Sequence, residues 1–278
     1  MKKMVILNIT HGDNVFCTKK HFLPVAAGAC RNDIANDACG EDNISFKNKY
    51  YGDFTSLYWA WKNLKNVDII GTSHYRRYIS DRKCLSEVQY NVTWNSFDKY
   101  YYNTSLYRNL LKKYDFIMVK PLTIFKTIEE HYIECHPYPE NLKIVEDVLN
   151  EIAPTYVESW NKYLNSKQIQ FGFLFITKWK HFDNLCSWLY PILSAIEQRI
   201  DLKQYEGYQS RVIAYLYERL VPVYLYNNNL EIYHMSMFFI DSETGTNIWD
   251  VIKNKWYDNY RTQIRRPVVK AIKGLLRI

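Results

Sequence analysis

The chain lacks the short glycine motifs that mark common nucleotide-dependent and hydrolytic enzymes. Its 278 residues contain no Gly-x-Gly-x-x-Gly, no Gly-x-x-x-x-Gly-Lys-Ser/Thr and no Gly-x-Ser-x-Gly. These motifs supply the backbone amides that bind a dinucleotide or a triphosphate, and the exposed nucleophile of α/β-hydrolases. Their absence argues against a dinucleotide-binding dehydrogenase, a P-loop NTPase and a serine hydrolase.

Compact metal-binding motifs are missing as well. No His-Glu-x-x-His and no Asp-x-Asp occurs, and the six cysteines are scattered without a Cys-x-x-Cys pair. Enzymes that use nucleotide sugars on an α/β fold commonly hold a divalent cation with carboxylates of an Asp-x-Asp type. Scattered cysteines argue against a disulfide framework and a zinc knuckle. The sequence therefore predicts no metal cofactor and a reducing, cytoplasmic compartment.

Long hydrophobic runs are also absent. The start of the chain imitates a signal peptide, but its apolar run covers only Met4 to Leu7 before polar residues interrupt it. A membrane-spanning helix needs roughly 20 apolar residues, and no run approaches that length. We therefore expect the amino-terminal segment to be the first strand of a globular protein.

Net positive charge is confined to the end of the chain. The chain carries +7, from 36 Lys and Arg against 29 Asp and Glu, and residues 253–278 hold eight of the basic residues and one acid. The remaining 252 residues are therefore neutral, which argues against nucleic-acid binding. From Pro267, apolar and basic positions alternate as on an amphipathic helix, which predicts attachment to the anionic inner face of the cytoplasmic membrane. A disordered, solvated tail is the alternative.

Alternating strand and helix patterns indicate an α/β fold. Val5–Thr10 reads as a strand, Asp53–Asn66 as a helix that Asp53 caps, and the run from Val67 to Ile70 as a second strand. Strand, helix and strand in this order imply a parallel sheet. Further strands are predicted at Tyr114–Val119, Phe171–Thr177, Val221–Tyr226 and Glu231–His234, and further helices at Ile128–His136, Leu142–Ile152, Phe182–Ile200 and Val212–Leu220.

A dense polar cluster follows the second of these strands. His74-Tyr75-Arg76-Arg77-Tyr78 places one imidazole, two guanidiniums and two phenols within five residues. Ligands of open α/β sheets gather outside the carboxyl ends of strands, and guanidinium groups match phosphate oxygens. The cluster is therefore a candidate phosphate-binding site. Its alternative is an arginine-rich loop that pairs with surface acids.

Two other segments have both a structural and a functional interpretation. The turn-forming residues from Asn32 to Asn48 make either a simple turn or a functional loop. Glu206 precedes a helix with Val212, Leu216 and Leu220 on its apolar face, so its carboxylate is either a partner of the helix dipole or a general base.

Three motifs together resemble a known family. They are Asp42-Asn43-Ile44-Ser45-x-Lys47-Asn48, Tyr51-x-Asp53-x-Thr55-x-x-Tyr58-Trp59-x-Trp61-Lys62-Asn63 and Gly71-x-x-His74-Tyr75-Arg76-Arg77-Tyr78. The set closely resembles a bacterial polysaccharide-biosynthesis glycosyltransferase family that was long catalogued as a domain of unknown function and includes O-antigen galactofuranosyltransferases. The similarity spans roughly residues 4 to 235. Asp53 stands where the family has a bulkier acid, and Gly172-Phe173 where it usually has Asn-Met.

The resemblance implies a GT-A-like (Rossmann-like) domain over residues 1–252 with a mostly parallel central sheet flanked by helices, followed by the basic helical tail. It implies inverting transfer from a UDP-sugar, with galactofuranose as one candidate, to a polyprenyl-linked glycan of a capsule, exopolysaccharide or O-antigen. Two arginines can neutralise a leaving diphosphate without a metal. A non-catalytic polyanion- or sugar-binding protein is the rival interpretation.

The resemblance also assigns residues to the site. Glu206 is the first candidate for the catalytic base and Asp42 the second. The expected donor-binding residues are Thr10, His11, Asn43, Ser45, His74, Tyr75, Arg76, Arg77 and Arg211.

Overall fold

Strands and helices alternate along most of the chain in the computed structural model, which describes residues 3–12, 14–29, 31–80, 88–101, 104–170 and 173–240. The strands are β1 Met4–Thr10, β2 Phe22–Ala26, β3 Ala35–Asn36, β4 Ile69–His74, β5 Arg77–Ser80, β6 Val88–Val92, β7 Phe116–Val119, β8 Leu122–Thr123, β9 Gln168–Ile169, β10 Phe175–Lys178 and β11 Ile232–Ile240. The helices are α1 Asn48–Tyr51, α2 Phe54–Asn63, α3 Thr104–Leu110, α4 Ile128–Cys135, α5 Glu140–Ile152, α6 Val157–Leu164, α7 Trp179–Glu197 and α8 Val212–Asn227.

The central sheet is mixed, which corrects the expectation of a mostly parallel sheet. Its order is β10-β7-β11-β5-β4-β1-β2-β3, with β6 beside β11. Strands β1, β2, β3 and β4 pair in parallel, as the strand–helix–strand pattern predicted. Strand β10, however, runs antiparallel to both β4 and β7, and β5 folds back on β4 and runs antiparallel to β11. Because β10 contacts β4 as well as β7, five of the strands form a closed ring of pairings.

Strand β1 is buried along its whole length because both faces of the sheet are covered. Val5, Leu7 and Ile9 pack into the larger core with helices α2 and α5–α8, whereas Met4 and Ile6 face a second core on the opposite side. A strand that is buried on both faces needs apolar residues at successive positions. This explains why the run that imitates a signal peptide is a core strand.

Gly71 lies where β4 meets β10, and its lack of a side chain permits the close approach of the two strands. A Cβ atom at this position would lie 2.8 Å from the carbonyl oxygen of Phe175. We expect Gly71→Ala to lower the free energy of unfolding by about 1–3 kcal/mol, because the backbone must move to relieve the overlap. Urea denaturation measures the change.

Gly12→Ala is the control for this prediction. Gly12 has a φ of +55°, but no neighbouring atom lies within 4 Å of the position that a Cβ atom would take there. The variant should therefore lose only about 1 kcal/mol, from backbone strain. Equal losses in the two variants would contradict a specific role for the β4–β10 contact.

The predicted strand Val221–Tyr226 is wrong, because these residues form the second half of helix α8. The helix continues through Pro222, and nearly all of its side chains are buried. An apolar run that is buried on every side has no 3.6-residue period, so the sequence pattern cannot distinguish a core helix from a core strand.

Among the helices of the described ranges, none has both the length and the apolar composition needed to cross a membrane. The predicted basic tail, residues 253–278, lies outside the described residues.

Candidate functional site

Two neighbouring strands end side by side and bring two predicted site segments together. In the parallel register of β1 and β4, Ile9 lies opposite His74, and the backbone N–H of Tyr75 donates to the carbonyl oxygen of Ile9 at 2.9 Å. Thr10 is the buried last residue of β1, and His11 follows it. The residues predicted for the first strand end and the His74 cluster are therefore adjacent in space.

A single carboxylate, that of Asp53, contacts the imidazoles of both strand ends. His11 Nε2 contacts Asp53 Oδ1, and His74 Nε2 lies 3.3 Å from Asp53 Oδ2. One ligand atom from each of the three side chains lies within 4.8 Å of the others. Two imidazole nitrogens and a carboxylate oxygen are ligand types that can hold a metal ion.

The prediction that Asp53 caps helix α2 is wrong. Asp53 does occupy the position before Phe54, but its side chain makes no hydrogen bond to the backbone of the first turn. The carboxylate turns toward His11 and His74 instead. Sequence reasoning therefore identified the residue and missed its partners.

The pKa values of the two imidazoles shift in opposite directions. Burial lowers the pKa of His74 to about 3, against the opposing charge of Asp53, so its ring is neutral at neutral pH. Burial also lowers the pKa of His11, but the hydrogen bond and charge of Asp53 outweigh it and the net shift is upward. Burial raises the pKa of Asp53, yet His74, His11 and Arg77 lower it by more, so this carboxylate is ionised.

Guanidinium groups border the cluster. Arg77 begins β5, is half-buried, and its charge acts on Asp53 and His74. Arg76 is exposed in the turn before it and lies over the ring of Tyr75, 5.5 Å from the centroid. Arg211, exposed just before α8, is close enough for its charge to lower the pKa of His11. The adjacent arginines thus have different environments, and the third comes from a distant segment.

Helix α8 contributes Glu218 to the same region. Burial raises the pKa of Glu218, while the charges of Arg219 and Arg77 oppose that shift and Asp53 adds to it. The sequence analysis gave no role to Glu218. Its electrostatic interaction with Asp53 and Arg77 depends on how α8 packs, which no local motif indicates.

A fully buried carboxylate, Asp37, joins the loops on the predicted nucleotide side. Its oxygens accept hydrogen bonds from the backbone N–H groups of Gly28 and Ala29 at 3.1 and 3.2 Å, and from the hydroxyls of Ser45 at 2.5 Å, Ser56 at 3.3 Å and Thr55. Sequence reasoning missed Asp37, because its partners come from three separate segments. The hydroxyl of Ser45, predicted to bind the donor, is buried here and donates to Asp37.

Comparison with known proteins assigns the chain to a family. Residues 5–229 match the family described as Domain of unknown function (DUF4422). The chain belongs to this family. This confirms the family resemblance seen in the sequence motifs. No curated protein matches the chain.

The fold of this DUF4422 chain is also found in a solved structure, titled "WbbM bifunctional glycosytransferase apo structure". The superposition has a TM-score of 0.80 at 22% sequence identity and covers 87% of this chain and 46% of that chain. The DUF4422 chain thus spans less than half of the length of the structure it matches. At this identity the likeness establishes the shared α/β fold.

The other residues expected on the nucleotide side of the DUF4422 chain organise the loop before helix α2. Asp42 is exposed, accepts a hydrogen bond from the Tyr58 hydroxyl at 2.8 Å, and lies 3.8 Å from Lys62 Nζ. The Asn43 side chain donates to the carbonyl oxygens of Ala38 and Gly40, both at 3.3 Å. Neither side chain joins the His11–Asp53–His74 cluster in the described contacts.

Glu206, the first candidate for the base, lies apart from these interactions. It is exposed at the amino end of the 3₁₀ turn Gly207–Arg211, and its carboxylate makes no capping hydrogen bond to that turn. Five residues after Glu206, the same turn ends at Arg211, whose charge reaches His11. The turn therefore connects Glu206 to the edge of the cluster, and the role of Glu206 as base stays a prediction.

Proposed function

We propose that this protein is a glycosyltransferase. The observation that carries the proposal is the fold, which 87% of the chain shares with a protein titled as a bifunctional glycosyltransferase. The cationic strand end supports it, because Arg77 and Arg211 act on a half-buried cluster at the carboxyl ends of parallel strands. This is where α/β folds bind phosphorylated ligands.

We further propose a UDP-linked donor, with galactofuranose as one candidate, and a polyprenyl-linked oligosaccharide of a capsule, exopolysaccharide or O-antigen as acceptor. The motif resemblance to a polysaccharide-biosynthesis family supports this donor and acceptor, and residues 5–229 match a family model. In this proposal the domain is of the GT-A type, and the enzyme works at the inner face of the cytoplasmic membrane. Attachment through residues 253–278 stays a prediction from the sequence.

The proposed reaction inverts the configuration at the anomeric carbon of the donor sugar. An acceptor hydroxyl attacks that carbon, the bond from it to the diphosphate oxygen breaks, and the hydroxyl proton passes to the Glu206 carboxylate. Arg76, Arg77 and Arg211 stabilise the negative charge that develops on the leaving UDP. Thr10, His11, His74 and Tyr75, at the two strand ends, border the donor.

Radiolabelled transfer tests the function directly. Purified full-length protein, a panel of UDP-sugars and bacterial membranes as acceptor should yield labelled lipid-linked glycan with one donor well above the others. Donor affinity is measured separately by calorimetry with UDP. Binding of sugars or polyanions without turnover of any donor would instead favour the non-catalytic interpretation.

A further inference from the structure

The structure forms a cluster of metal-ligating side chains that no sequence motif reveals. His11 follows β1, Asp53 precedes α2 and His74 ends β4, so the three residues come from separate segments of the chain. We propose that His11, Asp53 and His74 form a binding site for one divalent transition-metal ion of the zinc type. This site does not use an Asp-x-Asp motif. The absence of that motif from the sequence was the reason to expect sugar transfer without a metal.

The ligand types select the class of ion. Imidazole nitrogen is a good ligand for zinc, cobalt and iron, whereas magnesium and calcium prefer sites made entirely of oxygen atoms. Two imidazoles and one carboxylate form the three-ligand set of many open zinc sites, in which further positions remain for water or substrate. The cluster therefore fits a transition metal with open coordination positions.

The three ligand atoms are nearly close enough together to coordinate one metal ion. Ligand atoms bound about 2.1 Å from one zinc ion lie roughly 3 to 4 Å from each other. The three candidate atoms already lie within 4.8 Å of one another, and both histidines present Nε2 to the carboxylate. Small side-chain rotations would therefore suffice to place an ion between them.

The side chains are accessible enough to exchange an ion with solvent. Those of His11, Asp53 and His74 are 29%, 33% and 14% exposed. A coordination position of the ion that the protein leaves open would face the strand ends, the region in which Arg77 also lies.

The surrounding charges permit a cation. Arg77 and Arg211 are positive and act on the cluster, but Glu218 and Asp37 also lie close enough to interact electrostatically with its members. Asp53 itself is ionised. Carboxylates therefore offset the guanidiniums around the cluster, and a bound ion does not enter a uniformly positive region.

The competing interpretation is a metal-free clamp, in which Asp53 forms a hydrogen bond with the His11 imidazole, contacts the His74 imidazole and so joins the two strand ends. Both interpretations use the same contacts, but only the metal site predicts stoichiometric ion binding. This binding does not depend on the proposed glycosyltransferase activity. Failure of one proposal therefore leaves the other to be judged by its own experiment.

Metal titration of chelator-treated, full-length protein tests the proposal. Calorimetry with zinc in the presence of a competing chelator should show one equivalent bound, and cobalt should give the visible absorption bands of a nitrogen- and oxygen-ligated ion. Asp53→Asn and His74→Gln should each weaken zinc binding by about tenfold or more, because each removes one ligand of three. Excess magnesium should not displace the zinc.

A histidine–aspartate pair elsewhere in the chain provides the matched control. His181 Nε2 lies 3.2 Å from Asp115 Oδ1, without a third ligand in the described residues. His181→Gln should therefore bind zinc like the unmodified protein. His11→Gln offers a third ligand variant if another fails to fold, as judged by circular dichroism. No zinc bound by the unmodified protein, or equal affinity in folded ligand variants, would overturn the proposal in favour of the clamp.

Discussion

Glu206→Gln is expected to reduce sugar transfer by about a hundredfold to ten-thousandfold, because the amide cannot accept the proton of the attacking hydroxyl. UDP binding should survive, since the Glu206 side chain is exposed and lies apart from the strand-end cluster in the described contacts. The combination matters: a large loss in kcat with unchanged UDP affinity identifies a residue that acts in the chemical step. Radiolabelled transfer and calorimetry with UDP measure the two quantities.

Two further variants make this prediction specific. Glu158→Gln removes an exposed carboxylate from helix α6 and should leave transfer unchanged. Asp42→Asn tests the second candidate, whose carboxylate already accepts a hydrogen bond from Tyr58 and lies near Lys62. If Glu206→Gln keeps full activity while Asp42→Asn loses it, the base is Asp42.

Asp37→Ala is expected to cause a large loss of stability, lowering the free energy of unfolding by about 2–4 kcal/mol. The substitution removes the acceptor of two backbone N–H groups, those of Gly28 and Ala29, and of three hydroxyls. The hydroxyls can rotate to other acceptors, whereas the two N–H groups are fixed in the backbone and lose their protein acceptor. A loss of this size is a large share of the roughly 5–15 kcal/mol that stabilises a typical domain. Urea denaturation provides the measurement.

Ser45→Ala is the control for the Asp37 variant, because it removes only one of the same hydrogen bonds. It should cost about 1 kcal/mol. Equal unfolding free energies for the two variants would mean that Asp37 does not hold the loops together. Weakened UDP binding in a folded Asp37 variant would further indicate that these loops hold the residues that bind the nucleotide of the donor.

Local sequence patterns predicted the elements whose residues are close together along the chain. Strand β1, helix α2 and strand β4 follow their apolar patterns, and β1 and β4 pair in parallel as the strand–helix–strand order implies. The family could also be identified from motifs over a short stretch, residues 42 to 78, and the match to residues 5–229 confirms it. Each of these inferences needed only the periodic pattern of apolar residues or the spacing of residues that are close in the sequence.

Predictions failed where burial removed the period or where topology depended on distant segments. The second half of α8 is apolar on every side, so its sequence reads equally well as a strand. The antiparallel direction of β10 depends on how the chain returns after β9, and the sequence of Phe175–Lys178 does not encode that direction. The sheet is therefore mixed although its amino-terminal part is parallel.

The amino-acid sequence by itself determined the family, the first strand–helix–strand unit and the polar segment that ends β4. Only the tertiary structure decided which side chains meet at that strand end. Asp53 contacts His11 across 42 positions of sequence, and Asp37 collects donors from residues 28–29, 45 and 55–56. A carboxylate has no preferred partner along the chain, because its hydrogen bonds and ion pairs depend on distance in space. The chemistry available to this site was therefore fixed when the sheet, helix α2 and helix α8 packed together.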